Sequence, residues 1–382
     1  MGIKFFGLLL LFSCVFGANV NEEMEKILAQ NQKSILKNYA YKKDLRGLEK
    51  KFKEKKNFSI RIYGDSHMAA DFFPRVVRDY LLHSNAVGFA YPLQPKYQQN
   101  LNLKYDHKNF IIFNSKNTKE QGLSYPLGGV IARADGRGSW INLDTRLEKK
   151  KFKIGFVFRS PLPQNAFKVQ DAAGKSYALR SHLANKWSYK ELEFTFPIRI
   201  EALQKGAELG GYFITETRGN NIFLDTVAIN GARSDLWKNW NEGVVRKQLA
   251  LLKNDLIILA YGTNDALFKA FDKNSFKKNF KIWIRMLKKY NPNAVFLLIS
   301  PPTVKNANFN AVREALHELA REEKTLLFDT HEFMQNSGGK ELWIEKKLSL
   351  KDVHLSVKGY ELMAKKMLED FRKIFEENGR KN

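Results

Sequence analysis

The chain has 382 residues, 44% of them hydrophobic, a net charge of +24 and a single cysteine, Cys14. This length predicts two folded units rather than one. Cys14 lies in an N-terminal address segment, so a mature form cut after it has no disulfide, thiol nucleophile or cysteine metal site. Lys4, the apolar run Phe5 to Phe16 and the small residues Gly17 and Ala18 read as a cleaved export signal over 1–18. The run is too short to cross a membrane, so no transmembrane segment is expected in the mature protein. Leu11-Phe12-Ser13-Cys14 bears some likeness to a lipoprotein cleavage site, although Phe12 is bulky for that role. Export and scattered basic clusters without interleaved aromatics argue against nucleic acid as a partner. They leave a solvated basic surface or attraction to a polyanionic matrix.

From 19 to 57 the chain is rich in Glu and Lys, with Met24, Ile27, Leu28, Ile35 and Leu36 at amphipathic spacing. This predicts a helical segment that packs outside the frame or projects as a spacer. Ser59 to Gly64 reads as a strand, followed by a turn at Ser66 and a helix over about 70–83. Between 95 and 221 short apolar runs alternate with turn signals: Phe110–Phe113, Trp140–Leu143, Phe152–Phe158, Phe167–Val169 and Leu192–Ile200. Many short strands with frequent turns predict a β-sandwich or jelly roll, inserted into the first unit.

Beyond 222, strands and helices alternate, which predicts an α/β unit (58–94 and 222–382) with a parallel sheet covered on both faces. The expected strands are Val227–Gly231, Leu256–Tyr261, Ala294–Ile299 and Thr325–Phe328. The expected helices are Phe276–Lys289, Ala311–Glu323 and Lys358–Glu377, with Asn308 and Ser356 as turn or capping residues.

Three blocks carry chemistry: Gly64-Asp65-Ser66-His67, Gly262-Thr263-Asn264-Asp265 and Asp352-Val353-His354. Two of them follow apolar β-type runs, where an open parallel sheet places ligands. Ser66, at a strand-to-helix turn, is the expected nucleophile. Asn264 and the backbone N–H groups of Ser66 and Gly231 are expected to hold an oxyanion. His354, in a polar loop before a helix, is the expected base. His67 adjoins the nucleophile, but neighbouring residues in a turn point apart. Asp65 and Asp265 are expected to brace their loops. His83, His107, His182, His317 and His331 show no paired ligand spacing, so no metal is expected.

In this order the blocks resemble the SGNH (GDSL-type) hydrolases. Gly64-Asp65-Ser66-His67, Tyr261 to Ala266 and the β-rich insertion are most similar to the bacterial periplasmic peptidoglycan O-acetylesterases. The segments Asn291-Pro292-Asn293-Ala294 and Ser300-Pro301-Pro302 strengthen the likeness. The resemblance implies a three-layer α/β/α fold with an inserted, carbohydrate-binding-module-like jelly roll. It also implies a periplasmic serine esterase that needs no cofactor and removes O-acetyl groups from muramyl residues of peptidoglycan strands through an acetyl-enzyme. Tyr125 and Trp140 are candidate glycan contacts, with core packing as the alternative. The familiar pattern places Asp three residues before His, where this chain has Lys351. Asp352 is the nearest acid to orient His354, and a backbone carbonyl or Asp329 is the fallback. An O-acetyltransferase using the same acyl-enzyme, or a non-catalytic glycan-binding protein, is the alternative function.

Overall fold

The computed structural model describes residues 20–54, 56–81, 83–120 and 122–380; the expected export signal and Cys14 lie outside them. The chain opens with helix α1 (20–30), strand β1 (Leu36–Asn38), helix α2 (Lys42–Glu54), strand β2 (Phe58–Gly64), and helices α3 (Ser66–Ala69) and α4 (Phe72–Leu81). A run of strands follows: β3 (Gly88–Ala90), β4 (Leu103–Lys108), β5 (Phe110–Asn114), β6 (Val130–Ala134), β7 (Trp140–Thr145) and β8 (Lys151–Arg159). It continues with β9 (Asn165–Asp171), β10 (Ser176–Arg180), β11 (Ser188–Thr195), β12 (Ile198–Ala202) and β13 (Glu208–Thr215). The chain then alternates through β14 (Ile222–Ala228), α5 (Glu242–Leu251), β15 (Leu256–Ala260), α6 (Thr263–Ala266), α7 (Lys273–Tyr290) and β16 (Val295–Ile299). It closes with α8 (Phe309–Glu322), β17 (Leu326–Phe328), α9 (Thr330–Asn336), α10 (Gly339–Glu345) and α11 (Val357–Arg380). Among the described residues, no helix is long and apolar enough to cross a membrane.

The first sheet has the order β1-β17-β16-β15-β2-β14. Its strands run parallel except for β1, which pairs antiparallel with β17. Alternate residues feed opposite cores, as period-two side-chain geometry requires. Ile60, Ile62, Ile258 and Leu297 pack with Leu45, Phe73 and Met363 on one face. Tyr63, Ile257, Leu259 and Leu298 pack with Trp283, Leu287 and Leu316 on the other. Both faces are thus covered by helices, giving three layers. From β2 the chain leads to β14 on one side and later returns to β15 on the other, so β2 is the switch point where such sheets bind ligands.

The β-rich unit consists of two antiparallel sheets, β10-β9-β12-β7-β4 and β11-β8-β13-β6-β5, with β3 added alongside β13. Ile141, Val169 and Ile200 of the first sheet share a core with Phe152, Phe156 and Ile214 of the second. Strand β3 brings the start of this unit ahead of the expected boundary at 95, because Phe89 pairs with Phe213. The unit's two ends meet: Asn85 N and Ala86 N donate to the Ile222 carbonyl at 3.0 and 3.3 Å. Ile222 N in turn donates to Asn85 Oδ1 at 2.8 Å. Nearby, Arg61 grips Asp225 through two hydrogen bonds of 2.7 and 2.6 Å, and Asp225 Oδ2 also accepts from Phe89 N at 2.7 Å.

Of the two alternatives for the N-terminal segment, it packs on the frame and is no spacer: β1 interrupts its helices as an edge strand, and Met24, Ile27, Leu28, Ile35 and Leu36 are all buried in the sheet's core. Asn308 does not cap α8 through its side chain. Its amide instead donates to the carbonyls of Ala266 and Phe268, holding the loop after α6. Ser356 Oγ does accept from Gly359 N at 3.1 Å at the start of α11.

Candidate active site

Three adjacent strand ends build the site. Gly64 of β2 pairs in register with Ala228 of β14 and with Ala260 of β15. Chain leaving those ends carries Ser66, Gly231 and Asn264, so parallel pairing alone gathers residues far apart in sequence. At Gly64 a Cβ would lie 2.7 Å from Met68 Cγ and 3.0 Å from the Ala260 carbonyl, so the turn into α3 closes tightly only with glycine. Asp65 caps α3, accepting from His67 N at 3.0 Å, and leaves Ser66 half-buried at the helix start.

The loop between α10 and α11 brings His354 to this turn. His354 Nε2 lies 3.0 Å from Ser66 Oγ. His354 Nδ1 lies 2.9 Å from Asp352 Oδ2, while the His354 backbone N donates to Asp352 Oδ1 at 2.9 Å. Burial raises the Asp352 pKa, but the hydrogen bonds and charge of His354 outweigh it and hold the carboxyl below its ordinary value. The loop is pinned by Leu350 N donating to the His354 carbonyl at 3.0 Å, and by nearly buried Lys340 donating to the Asp352 carbonyl. Lys351, at the position the familiar pattern gives to Asp, is exposed and lines a depression shared with Asp352, Val353 and Lys340.

Asn264 Nδ2 donates to the Ala232 carbonyl at 3.0 Å and, more weakly, to Asp65 Oδ2 at 3.3 Å. Asp265 accepts from Ser234 Oγ at 2.8 Å and from Ser234 N at 3.2 Å, which ties α6 to the loop after β14. Burial pushes the carboxyls of Asp65 and Asp265 up to about 7. Gly231, with φ of +74°, adopts the left-handed conformation that favours glycine.

His67 is unsuited to act as the base. Its Nδ1 faces Tyr360 Oη at 2.9 Å and its Nε2 faces Thr263 Oγ1 at 3.0 Å. Burial, reinforced by the neighbouring His354, pulls its pKa down to about 3. Asp329, the fallback orienter, is engaged elsewhere: it accepts from Arg313 Nε at 2.8 Å and from Ser300 Oγ at 3.1 Å, and lies 2.7 Å from His317 Nε2.

Tyr125 is a correction. It is fully buried, with its hydroxyl donating to the Glu120 carbonyl at 3.0 Å and its own carbonyl accepting from Asn241 N, so no glycan reaches its ring. Trp140 is half-buried on the outward face of β7, beneath the guanidinium of Arg199 at 4.4 Å from the ring centre. Sequence reasoning missed Lys340, Tyr360 and Thr263. Tyr360 and Thr263 act through side-chain contacts to His67 from distant elements, and Lys340 through a contact with the loop after its own helix, none of which a local motif signals.

Residues 208–362 match the model of the GDSL-like lipase/acylhydrolase family, and residues 86–199 match that of the peptidoglycan O-acetylesterase N-terminal domain. The chain thus carries a GDSL-like acylhydrolase domain and a peptidoglycan O-acetylesterase N-terminal domain. The second match lies on the β-rich unit, which stands in the chain between Ser66 and most of the first match. A solved peptidoglycan O-acetylesterase is similar to this acylhydrolase in fold, with a TM-score of 0.76 and 24% identity over 89% of this chain and 98% of that one. A family two carbohydrate esterase from Clostridium thermocellum is far more distant, with a TM-score of 0.32 and 12% identity over 72% of this chain and 99% of its own. No curated protein matched the acylhydrolase in sequence.

Proposed function

We propose that this acylhydrolase is an exported, periplasmic serine esterase that removes O-acetyl groups from the muramyl residues of peptidoglycan. The observation that carries the chemistry is the approach of His354 Nε2 to within 3.0 Å of Ser66 Oγ, with Asp352 behind the ring. In this reading Ser66 Oγ attacks the acetyl carbonyl while His354 takes its proton. Asp352 holds the Nδ1–H tautomer and favours the imidazolium that forms. The carbonyl oxygen becomes an oxyanion received by the Ser66 and Gly231 amides and by Asn264. The Asn264 hydrogen directed at Asp65 spans 3.3 Å, just beyond the usual range, and is the one free to turn onto the oxyanion. Collapse expels the sugar alcohol, which takes the proton from His354. Water activated by the same base then releases acetate. The chemistry needs no cofactor.

Substrate class rests on the N-terminal domain match. The β-rich unit, read as a carbohydrate-binding-module-like jelly roll, would hold the glycan, with Trp140 as its contact. Solvent access favours hydrolysis over acetyl transfer, since the side chains of His354 and Asp352 are 35% and 61% exposed. The test is acetate release from purified O-acetylated peptidoglycan, with chemically de-acetylated peptidoglycan as control and with added sugar acceptor. Release from the acetylated polymer alone, undiminished by acceptor, is expected. Acetate appearing on the acceptor would make the protein a transferase, and silence on the polymer would refute the substrate.

A further inference from the structure

We infer that Lys116, which belongs to the β-rich unit, supplies positive charge to the oxyanion site of the catalytic unit. The inference rests on the reading of Gly231 and Asn264 as oxyanion donors. At Gly231 a Cβ would lie 2.5 Å from Lys116 Nζ and 3.0 Å from Lys116 Cε, so the lysine occupies the space a side chain would take. Standard covalent geometry then puts the ammonium no more than about 5 Å from the Gly231 amide nitrogen. An oxyanion received by that amide would lie within about 8 Å of the charge.

The placement is built rather than incidental. Ser115, the preceding residue, is fully buried and clamped from both units. Its N–H donates to the Gly129 carbonyl at 2.8 Å, within the β-rich unit. From the catalytic unit, Trp240 Nε1 donates to Ser115 Oγ at 3.0 Å and Asn239 Nδ2 to the Ser115 carbonyl at 2.9 Å. Lys116 N donates to Asn114 Oδ1 at 3.0 Å, which closes the turn. The next cation along the oxyanion loop, Arg233, is neutralised by Asp235 at 3.2 Å. Lys116 has no such partner among the described residues.

Lys116 exchanges no proton in this scheme. Ser66 Oγ bonds to the acyl carbon, the carbonyl π pair moves onto oxygen, and the ammonium stabilises that charge through space. When the pair returns and the alcohol leaves, the stabilisation ends. Because Lys116 is exposed, solvent screens the effect to on the order of five- to tenfold in rate. Unlike a structural contribution, it follows charge and ionic strength.

The experiment uses the full chain and 4-nitrophenyl acetate, a small neutral ester that makes no glycan contact. Lys116→Met should lower kcat about five- to tenfold with KM little changed, Lys116→Arg should restore most of it, and Lys116→Glu should lower it further. Raising salt should bring the wild-type kcat toward that of Lys116→Met, whose own rate stays flat, while thermal melting is the same for all. A wild-type kcat in Lys116→Met overturns the inference, as does a loss confined to KM. A loss seen only on acetylated peptidoglycan also overturns it and makes Lys116 a polymer contact. Parallel Ser66→Ala and Asn264→Ala variants separate the two levels. If they stay active, the reading of the site fails, whereas if they are impaired and Lys116→Met is not, only the present inference fails.

Discussion

Asp352 grips His354 at two points from only two residues away, one carboxylate oxygen on the backbone N–H and the other facing ring Nδ1, both at 2.9 Å. This Asx-type turn lets a two-residue spacing do what a three-residue spacing does elsewhere, because the carboxylate orients the loop and the ring together. Asp352→Asn retains one acceptor but favours the wrong imidazole tautomer, and should lower kcat by about 10²–10⁴-fold. Lys351→Ala, an exposed change, should stay within about threefold of wild type. Steady-state kinetics on a small acetyl ester decide, and an unimpaired Asp352→Asn would leave a Ser–His dyad with another orienter.

For Asn264→Ala, turnover should fall about 10²–10³-fold with little change in KM, since only the transition state carries the charge this amide would meet. A defect confined to KM would make Asn264 a substrate-positioning residue.

Stability should depend on pH through Asp265. Burial raises its folded-state pKa to about 7, against about 4 in an unfolded chain, so folding favours the protonated form. That contribution is full below about pH 4 and is lost as pH rises through 7. Asp265→Asn keeps an acceptor for Ser234 without a titrating proton. Its melting temperature relative to wild type should therefore improve from pH 5 to about pH 7 and level off above that. A constant difference would contradict the assignment.

The Arg61–Asp225 pair has side-chain exposures of 1% and 0%. Asp225→Ala abandons a buried guanidinium and the Phe89 amide together, and should destabilise the fold by about 3–5 kcal/mol. Urea unfolding measures this, and a cost typical of a surface ion pair would mean that water reaches the site.

Trp140→Ala should weaken action on acetylated peptidoglycan while sparing the small ester, because its ring faces away from the β-rich core. Tyr125→Phe should behave differently, lowering stability by about 1 kcal/mol through a lost hydrogen bond and changing neither activity selectively. Equal losses on both substrates in Trp140→Ala would remove the glycan role.

Legibility followed locality. The apolar runs of β15 and β16 declare themselves because both faces of those strands are buried. The sequence predicts strand β14 at Val227–Gly231, but it spans Ile222–Ala228, since Asp225 and Thr226 look unlike strand interior until Arg61 is seen opposite. Likewise β1 hides in a helical pattern because its partner, β17, lies almost three hundred residues away. Leu192–Ile200 divides into β11 and β12 around Phe196-Pro197, as proline supplies no ladder donor. Ser66, Asn264 and His354 stand in recognisable blocks, whereas nothing near Lys116 or Lys340 hints at their neighbours. Tyr125 misled because an aromatic in a turn-rich stretch looks the same whether it faces solvent or core.

The paired ends of the β-rich unit bear on the order in which the protein assembles. Pairing β14 with β2 closes a long loop while the β-rich unit is unfolded, so folding of that unit favours assembly of the wall of the catalytic cleft that carries Gly231. Once that event is complete, the contacts of Asn85 and Ala86 with Ile222 make the excursion equivalent to a short loop, with a correspondingly small closure entropy. A lesion deep in the β-rich core, far from any sugar, should therefore reach the esterase through delayed or failed closure of the parallel sheet, and in the cell it would be felt as a loss of abundance.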